Sequence, residues 1–390
     1  MKSSTKYIVL MLSLVMVTCV EPYDFDALKY EKVLVIDGAI SDLDEEYEVE
    51  ITYTYPLGSE LEPQHVTDAE VWVENSSGNR FDYTLATDQK YISPAGMTGV
   101  VGESYQLYVK MPDGTLYQSE PQLLKAAPAI DTIYGQYAEL PSEDGTVNVG
   151  GIQFFIDSES ITGNTHHFRY EWEEAFKIIT PYPARYELTE DSSIVRMDTS
   201  LGICYKEGFS NSLIYGTTEG VTSDKMLEFP IRFLSEEQQQ LRVRYTILVR
   251  QYAISEAAYL FYKRLEENNQ SGGSLFDQQT GSVFGNMYSS TDGDQAVLGF
   301  FEVSGVSERR QFFNYSDFDE RFSRPVFPFD CYFGSAIKTI PDSAAYYLTA
   351  TGGNIYDYTS FEPPAVSIHT RSCTDCSYYA DLIAPSYWIE

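Results

Sequence analysis

The sequence predicts a mostly β protein built from two β-rich domains. Short segments that alternate apolar and polar residues recur along the 390-residue chain between turn-forming residues, and a single long stretch has the period of an amphipathic helix. Hydrophobic residues make up 43% of the chain and aromatic residues 15%, so a packed core is expected rather than disorder. The length suits two domains, and we place their boundary at residues 125–126.

The predicted N-terminal domain covers residues 31–125. Its first segment, VLVIDGAI, is a buried strand that we expect to end at Gly38, and EVEITYTYP alternates so that Val49 and Ile51 share one face. Two hairpins follow, with turns at Ser-Gly-Asn and Pro-Asp-Gly. The hairpin residues predicted to face the core are Val71, Val73, Tyr105, Leu107 and Val109. This spacing of strands predicts a small immunoglobulin-like or carboxypeptidase-regulatory-like β-sandwich.

The predicted second domain, residues 126–390, is a larger β-rich domain with one inserted helix. Its clearest strand segments are residues 152–157, 166–179, 241–254, 296–305 and 344–352, the last with the sequence AAYYLTATG. Ser255 is a good N-cap for a helix near residues 256–268. The helix is predicted from the apolar residues that recur at helical spacing, which are Ala258, Phe261, Tyr262 and Leu265.

The first 18 residues have the features of a lipoprotein signal peptide. Two lysines precede an apolar run, residues 7–17, which is too short to span a bilayer because a spanning helix needs about 20 apolar residues. The run ends in Met-Val-Thr-Cys, which fits a lipidation signal except for the threonine, where a smaller residue is usual. We therefore expect cleavage before Cys19, lipidation of that cysteine, and an acidic tether over residues 19–30. The alternative is an ordinary cysteine within a generic signal peptide.

The charge balance excludes several classes of partner. The chain has 26 Lys and Arg against 58 Asp and Glu, for a net charge of −32. Nucleic acids need a positive protein face, so we expect no nucleic acid partner. Binding to anionic lipids through basic patches is disfavoured for the same reason. An acidic surface of this kind suits cationic ligands or divalent ions.

No standard catalytic motif is present, so we expect no enzymatic activity and no cofactor. The best candidate for hydrolysis is Glu171 with Glu173, which share one face of a predicted strand. A retaining glycosidase needs two carboxyl groups about 5–5.5 Å apart, but such pairs are common in an acidic chain. His166 and His167 are neighbours in the same strand and therefore point to opposite faces, which prevents them from sharing a metal ion.

Metal binding has only weak support in the sequence. Asp292 and Asp294 are the best calcium candidates among the acidic stretches, although none of these stretches matches an EF-hand loop. A solvated loop is the alternative. We therefore assign no metal site.

Four cysteines remain after Cys19, and an even number in an exported protein predicts two disulfides. They are Cys204, Cys331, Cys373 and Cys376. Three pairings are open, and one of the patterns would attach the C-terminal segment to the second domain. The CTDC spacing also resembles half of a redox or zinc site, but no second such motif accompanies it.

Several stretches together carry a family resemblance. They are VLVIDGAI, DAEVWVENSSGN, DGTLYQSEPQLL, RYTILVRQYAIS, GGSLFD, FGNM and the terminal CTDC with APSYW. In these stretches the chain resembles domain-of-unknown-function family 4249, which consists of exported lipoproteins of Gram-negative bacteria. Members are often encoded beside TonB-dependent outer-membrane transporters, so the resemblance implies such a transporter as partner. It implies no catalytic residues.

The GGSLFD segment, with the Gly-Asn pair that follows it, has two interpretations. The glycines could end the helix and allow a turn, with the apolar pair anchored in the core. Alternatively, the loop is exposed and docks on a partner. The residues concerned are Gly272, Gly273, Leu275, Phe276, Asp277, Gly285 and Asn286.

The function expected from these observations is a lipid-anchored binding or accessory protein, exposed at the cell surface or facing the periplasm. We expect it in the outer membrane, held there by its lipid and partnering a TonB-dependent transporter in nutrient capture, with an unknown ligand. The first alternative is a surface glycan-active hydrolase. The second is a structural adhesin or a component of envelope assembly.

Overall fold

The computed structural model describes most of the chain after the predicted tether. The described ranges are residues 32–55, 63–142, 144–159, 165–198, 200–220, 225–271, 282–293, 295–332, 336–360 and 363–390. The predicted signal peptide, Cys19 and the tether lie outside the described residues. No helix within these ranges has both the length and the apolar character that crossing a membrane requires.

The chain is mostly β, as predicted. The strands of the described residues are β1 Leu34–Ser41, β2 Glu48–Tyr53, β3 Gln64–His65, β4 Glu70–Asn75, β5 Arg80–Asp82, β6 Thr84–Leu85, β7 Tyr91–Ile92, β8 Ser104–Lys110, β9 Leu116–Ser119, β10 Gln122–Leu123, β11 Ile130–Pro141, β12 Asn148–Glu159, β13 His167–Ile179, β14 Tyr186–Leu188, β15 Ile194–Arg196, β16 Ile203–Phe209, β17 Ile214–Thr217, β18 Lys225–Ser235, β19 Arg244–Ile254, β20 Met287–Ser289, β21 Val297–Leu298, β22 Phe301–Asn314, β23 Ile337–Thr339, β24 Asn354–Thr359 and β25 Ala365–His369. The α-helices are α1 Glu256–Ser271, α2 Ala344–Thr351 and α3 Arg371–Thr374, and three short 3₁₀ turns lie at Gln239–Arg242, Tyr315–Asp317 and Pro341–Ser343.

One large sheet forms the centre of the protein. Its main strand order is β16-β13-β19-β22-β1-β2-β7-β6, and β17, β21 and β3 pair with β13, β1 and β2. Three smaller sheets have the orders β20-β9-β8-β4-β5, with β10 paired to β8, then β11-β12-β18, and finally β15-β14-β24-β25-β23. The first two of these cover one face of the central sheet, which we call its inner face.

The inner face is largely apolar, with a buried carboxylate, Glu174 of β13, which pairs with Arg232 of β18. At one end, side chains of β1 and β2 pack against the sheet that contains β4 and β8; these buried residues are Ile36, Ile40, Val49, Ile51, Val71, Val73, Tyr105, Leu107 and Val109. At the other end, β13, β19 and β22 pack against β11 and β12 through Tyr170, Trp172, Ile247, Val249, Phe313, Ile133, Ile152 and Phe154. Because side chains alternate along a strand, the residues between these point to the opposite, outer face.

Helix α1 lies on the outer face. Its first turn is capped as predicted, because the Ala258 N–H donates to Ser255 Oγ at 3.1 Å. Ala258 and Phe261 are buried against Ile254 and Phe300. The helix runs to residue 271, somewhat further than the predicted end.

Both predicted hairpins are confirmed. Strand β4 pairs with β5, and β8 pairs with β9. The strand β1 also forms as predicted, but it continues past Gly38 to Ser41.

The strand predicted at residues 344–352 is wrong, because these residues form helix α2. Pro341 starts the 3₁₀ turn that leads into the helix, and Gly352 ends it with a left-handed φ of 57°. The alanines of AAYYLTATG favour a helix, and a short apolar run cannot be distinguished from a strand by its period alone. The second region therefore contains more than the one predicted helix.

The pairing of strands crosses the predicted domain boundary. Strand β1 pairs in parallel with β22, with Ala39 opposite Glu302, and β20 pairs with β9 of the N-terminal region. The first core accordingly contains Met287 and Phe301 from the C-terminal region. Whether the two regions are separate folding units stays a prediction.

Candidate functional site: an acidic cleft on the outer face

The outer face of the central sheet carries charged side chains where the inner face carries apolar ones. Asp37 of β1, Arg169 of β13 and Glu302 of β22 interrupt strands that are otherwise rich in apolar residues. Charged side chains are seldom buried unless they are paired, so isolated charges in apolar strands indicate either an ion pair or a functional site. The outer face contains a buried ion pair and, beside it, a cleft lined by carboxylates.

Arg169 and Glu302 form a buried ion pair at the centre of this face. Their side chains are 13% and 3% exposed, and Arg169 Nη2 lies 2.9 Å from Glu302 Oε1. The Tyr262 hydroxyl of α1 donates to Glu302 Oε2 at 2.6 Å, and the Ser304 hydroxyl donates to Oε1 at 3.2 Å. The Arg169 guanidinium also stacks on the Tyr252 ring, 4.0 Å from its centroid. Glu302 is thus held on several sides before any ligand binds.

Beside this ion pair lies an open cleft of about 300 Å³, which we call the acidic cleft. It is lined by Asp37, Gly38, Ala39, Glu48, Glu50, Lys90, Arg169, Tyr262 and Glu302. Four carboxylates therefore face two cations. Lys90 is already engaged, because its Nζ lies 2.6 Å from Glu48 Oε2.

Asp37, which lines the acidic cleft, has the least compensation among its carboxylates. It lies directly opposite Glu50 in the β1–β2 register. On its other side, β1 pairs with β22, the strand that carries Glu302. Like charges opposite each other in a sheet are destabilising. In the described part of the chain, no cation forms an ion pair with Asp37.

The electrostatic consequence is a raised pKa. Asp37 is an exposed residue, and the strands around it still reduce the hydration of its carboxyl group. Desolvation, followed by repulsion from Glu302 and Glu50, raises the pKa of Asp37 to about 6, although Arg169 and the Gly38 N–H act in the opposite direction. A carboxyl group with a perturbed pKa in a cleft is a candidate for function.

In a second charged group on the outer face, which we call the paired strip, each carboxylate contacts an arginine. The paired strip consists of Glu171, Glu173, Arg250, Glu308 and Arg310. Arg250 lies 2.6 Å from Glu173 and 2.6 Å from Glu308, and Arg310 Nη2 lies 3.8 Å from Glu173.

Glu171 and Glu173, the carboxylate pair selected from the sequence, both belong to the paired strip. Glu171 contacts Arg169 and accepts a hydrogen bond from the Tyr252 hydroxyl at 2.8 Å. Burial alone would raise the pKa of Glu171, but Arg169 and the Tyr252 hydrogen bond outweigh it and lower that pKa. A general acid needs a raised pKa, so this environment does not suit Glu171 for that role.

The predicted disulfides are present. Cys204 is bonded to Cys376, and Cys331 is bonded to Cys373. This is one of the three pairings left open by the sequence, and it attaches the segment after β25 to β16. The two cysteines of CTDC therefore bond to different partners and do not form a redox pair with each other.

The Gly-Asn pair of the predicted loop has structural contacts. A Cβ on Gly285 would lie 1.8 Å from the Gly299 carbonyl oxygen, so only glycine fits there. The Asn286 amide donates to the Phe301 carbonyl at 2.9 Å and accepts from the Phe301 N–H at 2.8 Å, as a strand backbone would. The five preceding residues of the prediction, Gly272, Gly273, Leu275, Phe276 and Asp277, lie outside the described residues.

The remaining site candidates are dispersed. Asp292 follows β20 and its N–H donates to Ser289 Oγ at 3.1 Å, whereas Asp294 lies outside the described residues. His167 stacks on Tyr259, and His166 lies 3.3 Å from the Thr218 hydroxyl. Within the described ranges, no three potential ligand side chains lie close enough together to hold a metal ion.

Comparison with known protein families gives a match. The family model described as a domain of unknown function (DUF4249) matches residues 20–310. The chain belongs to this family. The DUF4249 match covers roughly three quarters of the chain, contains every residue that lines the acidic cleft, and excludes the segment with three of the four disulfide cysteines. No curated protein matches the chain.

The sequence analysis missed the residues of the acidic cleft. Asp37 was assigned to a buried strand, and Glu302 to the predicted strand at residues 296–305. The available signal was a single charge inside an apolar run, as in VLVIDGAI and GFFEVSG. The sequence does not indicate that these two strands are neighbours, so the cluster becomes visible only in the folded protein.

Proposed function

We propose that this protein is a lipid-anchored binding protein that captures a ligand with a cationic group in the acidic cleft. In this proposal it acts as an accessory subunit of a TonB-dependent outer-membrane transporter. The observation that carries the ligand part is the position of Asp37 opposite Glu50, with no cation paired to it among the described residues.

A cationic group fits this position for an electrostatic reason. An ammonium or guanidinium beside Asp37 would relieve its repulsion from Glu50 and Glu302, which raise its pKa. A cleft with excess negative charge also concentrates cations from solution. Like-charge pairs that a fold retains without compensation are expected at functional sites.

The cleft is also organised before the ligand arrives. Glu302 is held by Arg169 and by Tyr262 of α1, so its carboxylate cannot turn away from the cleft. Binding therefore loses little conformational entropy in the site. The volume of about 300 Å³ is at the lower limit for small-molecule sites, which suits a compact cationic group.

Calorimetry with defined cations tests the ligand part. We expect at least one of spermidine, arginine methyl ester and glucosamine to bind, and Asp37→Asn to weaken that binding by about tenfold, the effect of one pKa unit. Ala39→Trp, which places a large side chain in the cleft, should abolish this binding. The matched control is Glu308→Gln in the paired strip, which should bind as wild type. Absence of binding by all three cations, or equal binding by Asp37→Asn, contradicts the proposal.

The anchor and the transporter partner rest on the predicted signal with Cys19, on the acidic tether and on the DUF4249 family. A Cys19→Ala variant should lose metabolic lipid labelling and leave the membrane fraction. A tagged wild-type copy, solubilised in mild detergent, should recover an outer-membrane transporter, and recovery of none contradicts the partner.

One observation also favours a surface glycan-active hydrolase. Asp37, with its raised pKa near Glu50 and Glu302, has the environment of a general acid. A glycan panel decides between the two functions: hydrolysis that Asp37→Asn abolishes and that Glu171→Gln leaves intact would assign the enzyme. Hydrolysis of no glycan by the wild type supports the binding protein.

A further inference from the structure

The outermost strand of the central sheet has an open edge. Strand β16 pairs with β13 on one side, and on the other side a single bridge to Asp381 is present among the described residues. In that bridge the Tyr205 N–H donates to the Asp381 oxygen at 2.7 Å, and the Asp381 N–H donates to the Tyr205 oxygen at 2.9 Å. The backbone polar groups of Tyr205 therefore point away from β13.

Glu207 and Phe209 present their backbone groups in the same direction. Orientation alternates along a strand with a period of two, and the register between β16 and β13 runs without a shift. In the described part of the chain, no backbone group pairs with Glu207 or Phe209 at this edge. The edge thus offers two N–H donors and two carbonyl acceptors.

The segment that forms the bridge makes no further backbone pairing with β16 among the described residues, although the Tyr387 hydroxyl donates a hydrogen bond to the Glu207 side chain. It arrives from a tight turn in which the N–H groups of Tyr379 and Ala380 both donate to the Cys376 oxygen, at 3.1 and 3.0 Å. Cys376 is bonded to Cys204 at the start of β16, which fixes the turn there. Beyond Asp381 the chain crosses the outer face, where Glu390 lies 2.7 Å from Lys177.

An open groove of about 440 Å³ lies beside this edge, lined by Tyr205, Glu207 and residues 380–385. Its surroundings combine apolar and acidic character. The Phe209 side chain is 76% exposed and that of Ile383 is 83% exposed. Glu207 and Asp381 add negative charge to the same edge.

We propose that this edge docks an extended, basic segment of a partner protein, which adds as one more strand beside Glu207 and Phe209. Main-chain hydrogen bonds would supply affinity, as in other cases of strand addition. Phe209 and Ile383 would contact apolar side chains of the segment, and Glu207 and Asp381 would select lysine or arginine at the positions that face them.

A second copy of this chain is a poor occupant. Symmetric pairing of two such edges brings Glu207 and Asp381 close to their own copies, in a chain of net charge −32. A basic segment from another protein meets no such repulsion. This docking site is separate from the acidic cleft and does not depend on its ligand.

The test uses the full-length protein and a labelled octapeptide, Lys-Thr-Val-Thr-Lys-Thr-Val-Thr, in which lysine and valine alternate along one face of the strand. Its control is the same peptide with alternate residues N-methylated, which keeps the charge and removes backbone donors. We expect the unmodified peptide to bind, to slow hydrogen exchange in residues 205–210, and to bind much more tightly than the N-methylated one. Equal binding of the two peptides, or protection confined to other segments, overturns the proposal.

A pair of variants isolates the backbone at the edge. Phe209→Pro removes an outward N–H without touching the ladder to β13, whereas Phe209→Ala removes the side chain and keeps that N–H. We expect Phe209→Pro to bind the peptide about fivefold more weakly than Phe209→Ala, the effect of one hydrogen bond. Equal affinities overturn the proposal, as does a concentration-dependent dimer protected at the same residues. Spermidine binding by Phe209→Pro tests the acidic cleft independently of the strand edge.

Discussion

The two charged groups on the outer face of the central sheet differ in how their charges are compensated. In the paired strip, each carboxylate contacts an arginine, and Arg250 bridges Glu173 and Glu308. In the acidic cleft, Asp37 lies opposite Glu50 without such a partner among the described residues. Both groups look alike in the sequence, where each is a set of charges within β-strands. Compensation, which only the fold reveals, separates a solvated structural surface from a candidate site.

The largest expected loss of stability comes from breaking the ion pair between Arg169 and Glu302. Arg169→Met leaves Glu302 buried without its cation, so we expect the free energy of unfolding to fall by about 3–5 kcal/mol. The control is Arg250→Met in the paired strip, where partly exposed ion pairs contribute less than about 1 kcal/mol each. Urea unfolding at neutral pH measures both variants. Equal losses would remove the distinction between the two groups.

A smaller loss of stability is expected when a tyrosine hydroxyl that donates to one of these carboxylates is removed. Tyr262→Phe removes a hydrogen bond to the buried Glu302, and we expect a loss of about 1.5–3 kcal/mol because the acceptor is charged and desolvated. Tyr252→Phe removes the corresponding bond to the more exposed Glu171 and should cost about 1 kcal/mol. Thermal or urea unfolding measures the difference, and the reverse order would contradict the burial argument.

The smallest expected effect is a gain in stability, caused by replacing Asp37. Because the folded pKa of Asp37 is raised to about 6 from 3.8, the folded state binds more protons than the unfolded state between these values. Asp37 therefore contributes stability at low pH that is lost as the pH rises through this window. Asp37→Asn should be more stable than wild type at neutral pH, by less than about 1 kcal/mol because water in the cleft screens the charge.

The pH dependence of the stability difference between Asp37→Asn and wild type identifies the cause of the gain. The difference between Asp37→Asn and wild type should grow between the two pKa values and stay constant above them. Glu308→Gln, from the paired strip, should show no such gain at neutral pH. Urea unfolding over a pH series measures both, and a destabilised Asp37→Asn would show that its carboxylate is compensated after all.

The local elements of the fold were predictable from the sequence, whereas their assembly was not. Turn residues at Pro112-Asp113-Gly114 and the cap at Ser255 act over a few residues, and both predictions are confirmed. The parallel pairing of β1 with β22 joins residues far apart in the chain, and no local pattern encodes it. Helix α2 was misread because its apolar run is too short for its period to be decisive.

The candidate site depends on that distant pairing. Asp37 and Glu302 belong to neighbouring strands only because β1 lies beside β22, and Arg169 reaches them from β13 across β19. Glu171 and Glu173 were recognised because they share one strand, which is the arrangement that sequence reasoning detects. Arginines contact both carboxylates of this pair, an environment that does not favour a general acid.

The most direct test of the account is the titration of Asp37 itself. Carbon-13 NMR of its carboxyl group, assigned by its loss in Asp37→Asn, should give a midpoint clearly above 3.8, because desolvation and the neighbouring carboxylates raise its pKa. Saturation with a cation that binds the acidic cleft should move this midpoint downwards, since a positive neighbour favours the charged form. A midpoint near 3.8, unchanged by the cation, would mean that Asp37 is already compensated, and it would contradict the assignment of the acidic cleft as a binding site.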